Sequence, residues 1–321
     1  MSTDFTGEGT YECQLDDAAK KTAKSQLNEN PKERASQIEK LRTWLKQQPH
    51  LTCRTDDHFL LRFLRRAKFS QLLAQELIEN FVKIRCSPSY GVTDWFKGNN
   101  VNNAELMRML ELGTNIPLPG RDDKDRKVIL IRTAGASPED FELTMRMGFM
   151  VIDLLLRDEL NQIHGFVVFL DFTHFTKEHA GKWGVGTIKK AMKCWQDTYP
   201  IRNKGINYYN TPTLFNAIFD IFKMFMKQKL RDRIHFHKGD LKSLHKEIPK
   251  AILPEEYGGK AGPLQKIIDD WKDYVMKNAD EFDMMEKLDF DERKMPKPIG
   301  DGGGEEDGWG MVGSFRKLTT D

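Results

Sequence analysis

The sequence predicts an α/β protein in two parts, an all-helical N-terminal domain followed by a domain built on a mostly parallel sheet. Three observations predict it. Residues 12–87 carry helical patterning without a strand signal. From about 125 onward, short β-branched or aromatic runs alternate with helix-length segments. The chain of 321 residues, 39% hydrophobic, is long enough for one sizeable core domain and a smaller helical one.

In chain order, 1–29 reads as an N-terminal extension containing the helix AAKKTAKSQL. A helical cap over 30–88 then combines PKERASQIEKLRTWLKQQ, with Pro31 at a helix start, DDHFLLRFLRRAKF and SQLLAQELIENFVKIRC. Leu60, Leu61, Phe63 and Leu64 form an apolar patch flanked by Arg62, Arg65, Arg66 and Lys68, a pattern that predicts one buried face with its charges in water. The second domain, 89–275, alternates KVILIRT, a helix through 139–160, GFVVFLDF, a helix through 184–198, INYYN, a helix through 212–227, and RIHFH. Strands separated by helices imply βαβ crossovers and parallel pairing. Over 276–321 the end of a helix gives way to a tract rich in Gly, Pro and acid, interrupted by Trp309, Met311, Val312 and Phe315. Two readings of that tract stand, a tail docked on the domain and a disordered one.

Fifty Lys and Arg against 48 Asp and Glu leave a net charge of +2, too balanced for a surface devoted to nucleic acid. The N-terminus lacks the features of a secretory signal, and charges interrupt every apolar stretch before the ~18 residues of a membrane span. A cytoplasmic protein is expected. Cys13, Cys53, Cys86 and Cys194 are scattered, without metal or disulfide spacing, and read as reduced thiols, Cys194 as a packing residue. GxSxG, P-loop and HExxH motifs are absent, so no cofactor is expected. His235 and His237 alternate on RIHFH without a third ligand in view, which favours a structural role over a metal. Asp171, at the end of GFVVFLDF, is the best lone candidate for chemistry, set against a turn-capping role.

The segment TPTLFNAIFDIFKMFMKQKL stands apart. Leu214, Phe215, Ile218, Phe219, Ile221, Phe222, Phe225 and Met226 wrap most of the way around one helix, which needs cover on more than one side. Lys223, Lys227, Lys229, Arg231, Arg233 and Lys238 follow closely, with Arg202 and Lys204 just before the preceding strand. A central buried helix explains the apolar residues alone. An apolar helix edged by cations also suits an element that meets an anionic membrane surface.

Several motifs in fixed order resemble the CRAL-TRIO lipid-transfer family, close to its tocopherol-transfer and retinaldehyde-binding branch: FLLRFLRRAKF, DRKVILIR, GFVVFLDF, YPIRNKGINYYNTPTLFNAIF, KLRDRIHFH and ILPEEYGG. The resemblance covers about 30–275, and GSFRKL near the C-terminus is similar to the tail of arthropod members. It implies a sheet that floors a lipid pocket under a mobile apolar lid at about 211–227. By position it implies a floor of Phe166, Val168 and Leu170, a wall of Met145, Gly148, Ile152, Trp195 and Ile201, and a lid presenting Phe215, Ile218, Phe222 and Met226. Tocopherol carriers have serines where Gly148 and Ile152 stand here, so the wall is less polar. The family's phosphoinositide cluster maps onto Arg202, Lys204, Lys229 and Arg233, with a further cap arginine falling at Ala67, between Arg66 and Lys68. The implied function is a carrier for one tocopherol-, retinoid-, carotenoid- or sterol-like lipid that is peripherally associated with membranes. The alternatives are a phosphoinositide-sensing adaptor and a lipid-modifying enzyme using Asp171 or His174.

Overall fold

A computed structural model describes residues 11–295. The reading of Trp309, Met311, Val312, Phe315 and GSFRKL therefore lies outside the described residues. Helices α1 (Asp17–Leu27), α2 (Arg34–Lys46), α3 (Asp57–Arg66), α4 (Gln71–Cys86) and α5 (Ala104–Leu112) build the N-terminal region. Local chemistry starts several of them: Asp16, Asp56, Ser70 and Asn103 each accept a backbone N–H from the first turn of the helix that follows. Pro31 lies in a turn ahead of α2 rather than at its first position, because the main-chain carbonyl of Asn30 first accepts from the N–H groups of Glu33 and Arg34. A two-residue strand, β1 (Leu51–Thr52), pairs with a C-terminal segment, an interruption that no strand-length pattern in this region signals.

The sheet has the order β2 (Asn115–Pro117), β3 (Lys127–Arg132), β4 (Phe166–Asp171), β5 (Asn203–Tyr209) and β6 (Ile234–Phe236). The last four are parallel, and the edge strand β2 is antiparallel to β3. Between them run α6 (Phe141–Leu155), α7 (Glu159–His164), α8 (Lys177–Gly181), α9 (Val185–Lys193), α10 (Phe215–Phe225) and α11 (Gln228–Arg231). After the sheet come α12 (Leu241–Glu247), α13 (Leu264–Lys277), α14 (Asp280–Glu286) and β7 (Asp289–Phe290), the partner of β1.

Alternation along the strands divides the sheet into two faces. Val128, Leu130, Val167 and Phe169 are buried in one cluster with Leu244 of α12, Ile248 just after it, and Leu264, Ile267 and Ile268 of α13. Ile129, Val168 and Ile206 align in register on the other face, followed by Ile131, Leu170 and Tyr208. α6 lies above this second face and is buried over Met147–Leu155, since the cap covers its far side. One cluster of buried side chains runs from Ile38 through Phe81 and Phe149 to Phe290, so the helical region and the sheet region share a core.

The charges of α3 depart from expectation. Arg62 and Arg65 are almost fully buried rather than in water. Glu29 accepts from Arg65 at 2.9 Å, and Glu281 faces Arg62 at 3.5 Å while accepting from Arg54 at 2.9 Å. Buried charge persists only when paired, and these carboxylates come from positions 29 and 281, which no local pattern links to α3.

Candidate functional site: an apolar cavity beneath helix α10

The second face of the sheet does not close against its helices. It floors a cavity of about 250 Å³ lined mostly by apolar side chains. Ile129, Ile131, Phe166, Val168, Leu170, Ile206 and Tyr208 form the floor. Met145, Gly148 and Ile152 of α6, with Trp195 and Ile201, form a wall, and Phe215, Phe222 and Met226 close the top. Eleven of the twelve pocket positions suggested by resemblance are therefore brought together around one space.

Ile218 is the exception. It is buried in a cluster that joins Ile188 of α9 to the lining residues Met192, Phe215 and Met226, and does not itself reach the lining. The helix sits closely against α9 along one flank. Residues not singled out from the sequence also reach the lining, among them Asn115, Phe141, Phe172, Phe175, His179 and Trp183. They come from β2, the start of α6 and the stretch after β4, which helix and strand periodicity alone does not bring together.

α10 has two faces. Phe215 and Phe222 point to the cavity, whereas Leu214, Ala217 and Met224, at i, i+3 and i+10, are exposed on the outer side. Met224 is 71% exposed and Leu214 38%. A π-helical turn over Cys194–Thr198 adjoins the end of α10. Such turns cluster at functional positions.

Arg202, Lys204, Lys229 and Arg233 come together at the N-terminal end of β5. Lys204 is the extra residue of a bulge: Phe166 pairs with Asn203, and Val167 already pairs with Gly205. Gly165 lets the chain pass at this point, since a Cβ there would stand 2.3 Å from the carbonyl oxygen of Arg202. The Arg202 guanidinium donates to Ile163 O and to Gln26 Oε1, and that of Arg233 to Asn203 O. Burial, then the positive charges of Arg202, Arg233, Lys229 and Arg126, push the Lys204 ammonium down to about 8. Burial with Arg66 and Arg233 pushes Arg202 down to about 10, still charged at neutral pH. Cations crowded together in this way favour an anion among them. The cap contributes through Arg66, which acts on Arg202 and donates to Gln196 O at 3.3 Å, while Ala67 is buried.

The candidates for chemistry are occupied or apart. Asp171 lines the cavity, but Thr173 N–H donates to its Oδ1 and Tyr257 O–H to its Oδ2, and His174 is exposed outside the lining. His237 is buried between Ser243 and Asn207, whereas His235 is exposed. No group of three metal-ligating side chains occurs among the described residues. All four cysteines are free, and burial pushes the Cys194 thiol up to about 12. No described helix is long and apolar enough to cross a membrane.

Comparison with known proteins agrees with this architecture. Residues 113–259 match the model of the CRAL/TRIO domain, and residues 30–106 that of the Pinta-like UBA domain. The chain is 33% identical over 276 residues to the human alpha-tocopherol transfer protein-like, covering 85% of this chain and 78% of the relative. It is 33% identical to rat Clavesin-1 over 244 residues, 75% of this chain and 68% of that one, and 30% identical to mouse Clavesin-2 over 290 residues, 86% of each. Among solved structures, the crystal structure of Sfh5 aligns with a TM-score of 0.47 at 15% identity, over 83% of this chain and all of that one. With this identity sustained over most of both chains, on a helical region followed by a sheet-floored apolar cavity, the protein belongs to the CRAL-TRIO family of lipid-binding and transfer proteins.

Proposed function

We propose that this protein is a carrier that holds one hydrophobic lipid in the cavity beneath α10 and exchanges it at membranes containing phosphoinositide. The observation that carries the reading is the two-sidedness of α10: Phe215 and Phe222 cover the cavity while Leu214 and Met224 stay exposed, and the cations around Lys204 lie near its C-terminal end. Burying about 500 Å² of apolar lipid at ~25 cal/mol/Å² supplies on the order of 12 kcal/mol before ordering costs, so the complex is stable and spontaneous release slow. A membrane relieves this if its surface favours the open state of the lid. Exposed apolar residues suit the interface, and the cations suit its anionic headgroups. The name of the relative supports tocopherol-like lipids as candidate cargoes, while Gly148 and Ile152 give this chain an apolar wall of its own.

Native mass spectrometry of the purified protein, followed by lipid extraction, tests the carrier reading. One lipid per chain is expected. Transfer between vesicles should be faster when the acceptor contains phosphoinositide. A pocket without lipid, together with binding to phosphoinositide vesicles, would favour an adaptor, and chemical turnover of the extracted lipid an enzyme.

A further inference from the structure

Facing the apolar cavity is a side-chain oxygen that accepts no hydrogen bond from the described residues. Asn115, at the start of β2, is 3% exposed and lines the cavity. Its Nδ2 donates to Thr144 O at 3.4 Å and to Thr114 Oγ1 at 3.3 Å. Both can only accept: Thr144 O is a carbonyl, and Thr114 Oγ1 gives its own proton to Met109 O at 3.3 Å. The amide is therefore fixed with its nitrogen on that side. Its Oδ1 turns the other way and accepts no hydrogen bond from the described residues. A Cβ added at Gly148 would stand 3.4 Å from this oxygen and 3.5 Å from Trp195 Cζ2, so the glycine leaves a notch with the oxygen on one side and the indole on the other.

Of the other polar groups reaching the lining, Arg132, His179 and Asp171 are already bonded, the indole N–H groups of Trp183 and Trp195 are donors only, and the Tyr208 hydroxyl carries a proton of its own. Arg132 donates to Gly113 O and Leu112 O, His179 meets Thr176 and Ala136 O, and Asp171 accepts from Thr173 and Tyr257. Asn203 is half-buried rather than buried. A buried acceptor removed from water and left unmade is costly, and filling the cavity with cargo removes it from water.

We infer that the cargo is a lipid whose polar end carries a hydrogen-bond donor, an alcohol or phenol hydroxyl, and that this hydroxyl seats in the notch at Gly148 and donates to Asn115 Oδ1. The inference rests on the carrier reading and narrows it: hydrocarbons, esters and aldehydes of similar shape offer Oδ1 no proton. One hydrogen bond made rather than missed corresponds to roughly tenfold in affinity.

The test is a competition on the delipidated full chain with three matched pairs: retinol against retinaldehyde, α-tocopherol against its methyl ether, and cholesterol against 5-cholestene. Bound lipid is extracted and quantified. In every pair that binds, the hydroxyl member is expected to exceed its partner by about tenfold, and the ratio to fall toward one in Asn115→Leu. Gly148→Ser tests the notch while leaving both Nδ2 bonds in place, since its hydroxyl can reach Oδ1 and its bulk fills the space; the same fall is expected. A ratio near one in the unaltered protein, or a preference that survives both variants and disappears in Asn203→Leu, overturns the inference and leaves the carrier standing. Binding of no member of any pair, with no lipid on the natively purified protein, overturns the carrier reading and this inference with it.

Discussion

Gln196 holds the end of α10 in a two-sided grip: its Nε2 donates to Phe225 O at 2.9 Å, and its Oε1 accepts from Lys227 N at 2.9 Å. Asp197, the next residue of the π-helical turn, pairs with the Lys227 ammonium. The main-chain oxygen of Gln196 accepts from Arg66, which acts on Arg202, so the grip and the cationic cluster share one connection. Gln196→Leu should free the last turn of α10. Hydrogen exchange over 222–230 is expected to rise, and lipid release to vesicles to quicken, with global stability changed by about 1–2 kcal/mol. Unchanged exchange in that segment would remove Gln196 as a latch.

The floor of the cavity is apolar apart from the Tyr208 hydroxyl. Leu170→Asp places a carboxylate beside Val168 and Phe222, where an unpaired ion costs several kcal/mol. Loss of lipid loading is expected by native mass spectrometry. A folded Leu170→Asp protein carrying one lipid per chain would show that the cargo lies elsewhere.

Binding of lipid and attachment to membranes should separate. Arg202, Lys204, Lys229 and Arg233 are absent from the cavity lining. Lys204→Ala with Arg233→Ala is expected to leave equilibrium lipid binding nearly unchanged and to weaken attachment to anionic vesicles by about 1 kcal/mol per charge. Added salt should weaken the unaltered protein in the same direction, because screening shortens the ~8 Å reach of these charges. Equal transfer rates for the two proteins on phosphoinositide vesicles would exclude the cluster from release.

Lys204 also gives attachment a pH dependence. Its ammonium titrates at about 8 in the fold, below its ordinary value, so it is mostly charged at pH 7 and mostly neutral at pH 9. Only the charged form attracts anions. Attachment to phosphoinositide vesicles is expected to weaken as pH rises from 7 to 9, and Lys204→Met to flatten that fall. Since the folded state disfavours the charge, the same group makes folding less favourable as pH falls from its ordinary value of 10.5 to about 8, an effect that a bound anion offsets. Cosedimentation at constant ionic strength measures the first effect, and an identical pH profile in Lys204→Met would rule out Lys204 as its source.

The wall of the cavity is tied to the cap by a buried ion pair. Arg85 of α4 reaches Asp153 of α6 at 2.6 Å and also donates to Tyr199 O–H, while Tyr199 stacks with Phe149 at 5.1 Å. Burial raises the Asp153 carboxyl and the Arg85 guanidinium opposes it. Arg85→Met leaves that carboxyl unpaired and should cost about 3–5 kcal/mol, whereas adding Asp153→Leu should recover most of the loss. Urea unfolding of the two variants measures the difference, and a double variant no more stable than the single one would assign the cost to packing.

The sequence by itself determined the division into helices and a parallel sheet, because the repeat of apolar residues along a segment is a local property that survives without neighbours. That Phe166, Val168 and Leu170 share one face was legible for the same reason, since alternate residues of a strand share a face, whereas the choice of that face as the cavity floor came from the family resemblance. The apolar helix followed by cations was also legible, as composition within one stretch of chain. Only the tertiary structure decided that Arg62 and Arg65 are buried, because Glu29 and Glu281 reach them from far along the chain. It alone left Ile218 out of the cavity lining and brought Asn115 opposite Gly148. Each of these depends on which side chains meet across elements, and no period within a single segment records the element that will cover it.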